Sequence, residues 1–268
     1  LRASTSAAFV GPELSDALTR LVTQAGAAAR ATTRVEVTLK ADSSPVTSAD
    51  FAADAVLCDG LARLLPGLAV VSEERAPLPS WPCPDDFVLV DPLDGTKEFI
   101  AGRAEYAVNL AILVDRRPVA GFIALPALGL VYRGIVGRGA ERLMTSGDDL
   151  APVATPIRAR PTPPEGLIAV ASLSHRDAAT DAFLARPIIA ERHHFGSALK
   201  FCRIAEGEAD VYPRLVPTRE WDVAAGDALV AAAGGRVTGA DGEPLRYGRV
   251  ETGFVVPDFI VWGAPAEP

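Results

Sequence analysis

Cysteine is scarce in this sequence: Cys58, Cys83 and Cys202 are odd in number, widely spaced and contain no CxxC pair. A disulfide framework is therefore not expected, and neither is a thiolate zinc site. Histidine is no richer, and the adjacent pair His193-His194 has no metal partner at helical spacing, so it reads as a surface pair. Basic surplus is missing as well. Lys and Arg number 26 against 34 Asp and Glu, and the net charge of −8 argues against a nucleic-acid partner. An anionic small molecule would need metal ions and a few local cations to offset that charge. Long apolar runs are also absent: the stretch from Val119 to Tyr132 is interrupted by Pro126 and closed by Arg133, short of the roughly 20 residues of a membrane span. Residues 1 to 10 hold one Arg and no apolar h-region, so no signal peptide is expected. A reducing cytoplasm is the simplest setting.

What is present is a globular composition, 49% hydrophobic and 22% charged over 268 residues, enough for one large domain or two modest ones. Leu14, Leu18, Leu21 and Val22 follow Gly11-Pro12 at helical spacing and predict a helix to about Arg30. Residues 34–39 alternate like a strand. Thr47 or Ser48 can cap a second, alanine-rich helix to about Leu65, with Asp50 in its first turn. Strands are expected at 68–72 and 87–91, on either side of a Pro-rich stretch from Pro77 to Pro84, and an antiparallel meander at 106–114, 118–125 and 130–136. Five prolines in 147–164 mark a candidate junction, which divides the chain into an α+β half, 1–150, and an α/β half, 151–268. In the second half, strand-like and helix-like pieces alternate at 167–172, 177–184, 186–191, 197–206, 209–212 and 221–234. Cys202 falls in an apolar helical segment and reads as a buried, inert thiol.

The most informative stretch is VLVDPLDGTKEF at 88–99. A Val/Leu-rich strand delivers Asp91 and Asp94 into a turn with Pro92 and Gly95, followed at once by Thr96, Lys97 and Glu98. Two carboxylates so close on a turn after a buried strand repel each other, and a hard, oxygen-liganded ion such as Mg²⁺ resolves the conflict. Three further acidic clusters open or follow elements that are expected to be buried: Asp50 in PVTSAD, Glu73-Glu74 in VVSEE and Asp222 in EWDVAAGD. Each alone reads as a cap or a solvated carboxylate. Together they make the cage that two or three Mg²⁺ ions need around a phosphate. Thr96 is placed to relay a proton to Asp50, or is an ordinary turn threonine.

DPLDGTKEF together with WDVAAGD resembles the paired signature of the Mg²⁺-dependent, Li⁺-sensitive phosphatases related to inositol monophosphatase, and PVTSAD and VVSEE resemble that family's two remaining acidic elements. Within the family, the Lys-Glu-Phe ending and the segments SLSHRD, GSALKFCRIAEGEADVYPR and PTREWDVAAGDALVAAAGG are similar to the CysQ-type 3′(2′),5′-bisphosphate nucleotidases. The likeness runs from about Pro45 to Phe259.

The resemblance implies a layered αβαβα sandwich. It implies Glu73, Asp91, the carbonyl of Leu93, Asp94 and Asp222 as ligands of two or three Mg²⁺ ions, with Asp50 and Thr96 activating water. Substrate contacts are implied for Glu73, Leu93, Asp94, Gly95, Thr96, His175, Ser197, Lys200, Arg214 and Asp222. On the residues alone, alternatives stay open: His175 as a solvent-facing side chain, Ser197 as a helix cap, Lys200 and Arg214 as surface cations. Glu74 is a candidate for a more weakly held ion, Lys97 for balancing the carboxylates, and Trp221 for packing beside Asp222. The sequence departs from the family pattern in the short, Pro-rich connection from Glu73 to Asp91, and in Ala198 where a second serine is usual. The implied activity is hydrolysis of the 3′-phosphate of adenosine 3′,5′-bisphosphate to AMP in sulfur assimilation. Inositol monophosphatase or fructose-1,6-bisphosphatase activity, or a non-catalytic phosphate-binding regulator, are the alternatives. The implied protein is a cytoplasmic monomer with no integral membrane segment; a dimer, or peripheral attachment to the inner membrane, is the variant reading.

Overall fold

The structure is a computed structural model that describes residues 10–33, 35–40, 44–76, 81–146, 149–150, 154–174 and 177–265. The chain enters α1 (Pro12–Ala31) with Pro12 at the first helical position, where its missing N–H costs no hydrogen bond. A short hairpin, β1 (Val37–Leu39) and β2 (Pro45–Thr47), leads into α2 (Ser48–Leu64). β3 (Ala69–Ser72) then lies parallel to β4 (Phe87–Asp94). After α3 (Thr96–Ile100) the chain meanders antiparallel through β5 (Ala107–Val114), β6 (Arg117–Leu125), β7 (Leu130–Ile135) and β8 (Gly139–Ser146). β9 (Asp149–Leu150) and β10 (Thr155–Ile157) both pair with β8, giving a large sheet of order β10-β8-β7-β6-β5-β4-β3.

The remaining elements are β11 (Leu167–Ser172), α4 (Ala178–Leu184), β12 (Ile189–Phe195), α5 (Leu199–Ala205), β13 (Val211–Arg214), β14 (Thr218–Arg219), α6 (Glu220–Ala232), β15 (Arg236–Thr238), β16 (Val255–Val256) and β17 (Phe259–Trp262). Five of these strands form a second sheet of order β12-β11-β13-β17-β15, in which β11, β12 and β13 run parallel.

The strand alternation decides the layering. In β4, Val88 and Val90 face α1 and α2, where Leu18, Val22, Leu57 and Leu61 meet them. Phe87 and Leu89 face the other way, onto a core shared with Phe201 of α5 and Val223 and Leu229 of α6. Val170 of β11 joins that inner core, while Ala169 and Ala171 face Phe183 and Leu184 of α4 on the outside. The order is helices, sheet, helices, sheet, helix, the αβαβα sandwich that the sequence implied.

The composition of α6 follows from its place between two sheets. A Cβ on Gly121 of β6 would stand 2.1 Å from the Ala225 carbonyl oxygen, and one on Gly226 would stand 2.2 Å from the Phe201 ring. Such close approach demands Ala and Gly on the helix, and no polar face is left to give it an amphipathic pattern.

Some expectations shift. The strand read at 34–39 shortens to β1, whose side chains are exposed, and residue 34 lies outside the described residues. β8 was not expected, because its polar residues hide the period-two signal. β10 falls within the expected junction and adds to the first sheet, while α6 packs against β4, β5, β6 and β7. No helix among the described residues is long and apolar enough to cross a membrane.

Candidate metal centre and phosphate cleft

The C-terminal ends of β3 and β4 lie side by side, so Glu73 emerges beside Asp91 and Asp94. Residues three apart on a regular strand point to opposite faces. Between Asp91 and Asp94 the pairing with β5 shifts, Asp91 lying opposite Asn109 and Asp94 opposite Ala107. This bulge inserts one extra residue and brings both carboxylates to the same cleft. Gly95 then turns the chain at φ +92°, where a Cβ would meet the Glu105 carbonyl oxygen at 3.2 Å and Ser197 Cβ at 3.3 Å.

Asp50 and Asp222 arrive from helix starts. Asp50 Oδ2 accepts from the Thr47 backbone N–H (2.8 Å) and hydroxyl (2.6 Å), a capping arrangement that fixes the carboxylate. Its Oδ1 is left for the Thr96 hydroxyl at 3.1 Å, which also reaches the Leu93 carbonyl oxygen at 3.2 Å. Asp222 likewise holds the N–H of Arg219 at 3.1 Å and the hydroxyl of Thr218 with Oδ2. Trp221, the preceding residue, is buried against Phe254.

Glu73, Asp91 and Asp222 each offer an oxygen within 4.8 Å of the others. The electrostatics record the crowding. Burial, then the charge of Asp222, pushes the Glu73 carboxyl up to about 7. Burial, then Glu73 and Asp94, raises Asp91 well above its ordinary value, and burial followed by Asp222 raises Asp94. Mutually repelling, all-oxygen donors, Asp91 buried and Glu73 and Asp222 partly so, fit a hard divalent cation. Asp94 lines the same cleft, where its Oδ2 accepts from Ser197 Oγ (2.7 Å) and Asn109 Nδ2 (3.3 Å).

The cleft encloses about 230 Å³ and also receives the C-terminal ends of β11 and β13. Lys97, Lys200 and Arg214 supply its cations. Lys200 is not a surface cation: it is buried, its ammonium donates to the carbonyl oxygens of Phe195 (3.2 Å) and Ser197, and burial lowers it to about 8 despite Asp94 nearby. Arg214 is half-buried, with its Nε buried and unpartnered. Ser197 does not cap α5. It sits at φ +51° and turns its hydroxyl to Asp94, while Ala198 takes the cap position. His175 lies outside the described residues. His193 and His194 are exposed and Cys202 is buried, as expected.

Sequence reasoning missed Lys40, Asn109 and Thr218, and left Glu98 without a role. Lys40 bridges Glu73 (2.7 Å) and Glu74 (2.8 Å); their carboxylates outweigh its burial and raise its pKa. Glu98 is buried and accepts from Ser174. One signal pointed to Lys40: the chain has only three lysines, Lys40, Lys97 and Lys200, and all three stand at this site.

The inositol monophosphatase family model matches residues 12–261. The chain belongs to that family. Among its relatives are proteins named 3′(2′),5′-bisphosphate nucleotidase CysQ from Shigella flexneri, 39% identical over 236 residues, and from Escherichia coli strain K12, 40% identical over 230 residues. Each alignment covers 85% of this chain and 89% of the relative. The crystal structure of CysQ from Bacteroides thetaiotaomicron superposes with a TM-score of 0.77 at 31% identity, covering 94% of this family member and 96% of that chain. An inositol monophosphatase from Anabaena, 24% identical with a TM-score of 0.74 over 94% and 91% of the two chains, shares the fold.

Proposed function

We propose that this protein is a Mg²⁺-dependent phosphatase that removes the 3′-phosphate of adenosine 3′,5′-bisphosphate, releasing AMP and phosphate in the cytoplasm during sulfur assimilation. The observation that carries the reading is one cleft lined by both signs of charge. Glu73, Asp91, Asp94 and Asp222 supply the carboxylates, and the buried Lys200 and half-buried Arg214 supply cations within reach of Asp94. A bisphosphate asks for such a pair, a reaction subsite and a second anionic subsite. The names of the CysQ relatives support the choice of nucleotide.

Glu73, Asp91, the Leu93 carbonyl, Asp94 and Asp222 would hold two or three Mg²⁺ ions, which when bound supply Lewis acidity to the phosphoryl oxygens and acidify water. The chain's own residues place the proton. Because Thr96 Oγ1 donates to Asp50 Oδ1, its lone pair is free to accept from an attacking water. As the water oxygen bonds to phosphorus and the bond to the 3′-oxygen breaks, the water proton passes to Thr96 and the Thr96 proton to Asp50, while the leaving 3′-oxygen takes a proton from solvent to become the hydroxyl of AMP. Lys200 and Arg214 orient the 5′-phosphate, and Ser197 and the turn from Leu93 to Thr96 make the remaining substrate contacts.

Phosphate release from a substrate panel tests this. Adenosine 3′,5′-bisphosphate should be turned over with the highest kcat/KM, requiring Mg²⁺ and inhibited by Li⁺. Faster turnover of inositol 1-phosphate or fructose 1,6-bisphosphate would overturn the substrate assignment.

A further inference from the structure

Asp54 takes no part in the chemistry above, yet its carboxylate is 1% exposed on α2, one helical turn beyond Asp50. A carboxylate is tolerated out of water only when both oxygens are bonded. Here Oδ1 accepts from Ser72 Oγ at 2.6 Å and from Cys58 Sγ at 3.5 Å, and Oδ2 accepts from Arg75 Nε at 2.5 Å.

Ser72 and Arg75 are the residues on either side of Glu73-Glu74, which form a single 3₁₀ turn at the end of β3. Ser72 has one hydroxyl proton, and giving it to Asp54 leaves a lone pair to accept the Glu74 N–H, at 3.4 Å. Both ends of the turn that carries Glu73 are thereby fastened to the helix that carries Asp50. The turn has need of fastening. Glu73 is paired with Lys40 and repelled by Asp91 and Asp222, so nothing in its own charge environment holds it toward the cluster without a cation.

We propose that Asp54 is the positioning residue of the metal centre: by clamping Ser72 and Arg75 it sets the turn from which Glu73 reaches the cation and fixes that turn relative to Asp50. The inference rests on the reading of Glu73 as a metal ligand. A carboxylate that merely pins helix to strand changes stability alone, whereas a positioning residue changes metal affinity.

The test is calorimetric titration of Mg²⁺ into the full chain, beside the Mg²⁺ dependence of phosphate release, for the wild type and for Asp54→Asn, Arg75→Gln and Glu73→Gln. Asp54→Asn should weaken Mg²⁺ binding by about 10-fold, the scale for loss of a partner behind a metal ligand. Its activity loss should be recovered largely by excess Mg²⁺. Arg75→Gln, at a side chain 58% exposed, should move affinity the same way by a smaller factor. Unchanged Mg²⁺ affinity in Asp54→Asn, with only a lower melting temperature, would overturn the proposal. If Asp54→Asn does not fold, unchanged affinity in Arg75→Gln does the same. Wild-type affinity in Glu73→Gln would instead overturn the ligand reading itself.

Discussion

Two helices on opposite faces of the large sheet begin with the same local device and present carboxylates of different chemistry. Asp50 and Asp222 each occupy the third position of their helix, and each commits Oδ2 to the N–H of its cap residue and to a threonine hydroxyl, Thr47 or Thr218. The device fixes direction only. Asp50 then meets the hydroxyl of Thr96, a group through which a proton can pass, whereas Asp222 meets Glu73 and Asp91, two further anions. On the proposed reading, one local motif serves as a base on one side and as a cation ligand on the other, and the neighbours decide which.

The largest effect that tests this contrast is Asp50→Asn, which keeps most of the cap but cannot take a proton. Its kcat should fall by roughly 10²–10⁴-fold at every Mg²⁺ concentration, with Mg²⁺ affinity by calorimetry unchanged; recovery at high Mg²⁺ would erase the distinction between the two helices. Asp222→Asn should show the opposite split. Half-saturating Mg²⁺ should rise by at least the roughly 10–100-fold typical of metal-site partners, and Asp94→Asn should behave similarly; near-wild-type rates at ordinary Mg²⁺ would remove both from the ligand set.

Stability against pH reads the crowding of carboxylates beside Asp222. Glu73 is raised from 4.5 to about 7 in the folded chain, so between those values the folded state holds a proton that the unfolded state has released. Metal-free stability should therefore fall as pH rises from about 4.5 to 7, and Mg²⁺ should restore it, more at the upper end. Urea midpoints with and without Mg²⁺ measure this, and a midpoint that rises over the window without metal would contradict it. Lys200→Ala should raise KM for the bisphosphate more than for a monophosphate; equal increases would deny Lys200 a second subsite. The smallest effect is expected from Thr47→Ala, where loss of the cap costs about 1 kcal/mol of stability, read by chemical denaturation.

Much of this was legible in advance because it is local. VLVDPLDG marks a buried strand that ends in a turn, PVTSAD a capped helix start, and both are where the structure has them. The acidic residues of the cluster could be named because their motifs are contiguous. Lys200 could be named but not placed: its four-carbon stem offers no sign of whether it lies in solvent or, as here, in a buried pocket against carbonyl oxygens. Ser197 looked like a cap, and its positive φ is imposed by the loop it occupies. Lys40, Asn109 and Asp54 were invisible because the partners that give them a role, Glu73, Asp94 and Ser72, lie 33, 15 and 18 residues away.

By itself the sequence determined the family, the helix starts and which carboxylates exist, since these depend on propensities and motifs within a few residues. Tertiary structure alone decided what each carboxylate faces. The bulge after Asp91 sets Asp94 on the same side, the parallel pairing of β3 with β4 brings Glu73 alongside, and α6 wedged between two sheets brings Asp222 from the far end of the chain. Charge at a site is a sum over neighbours in space, and only the packed layers make those neighbours.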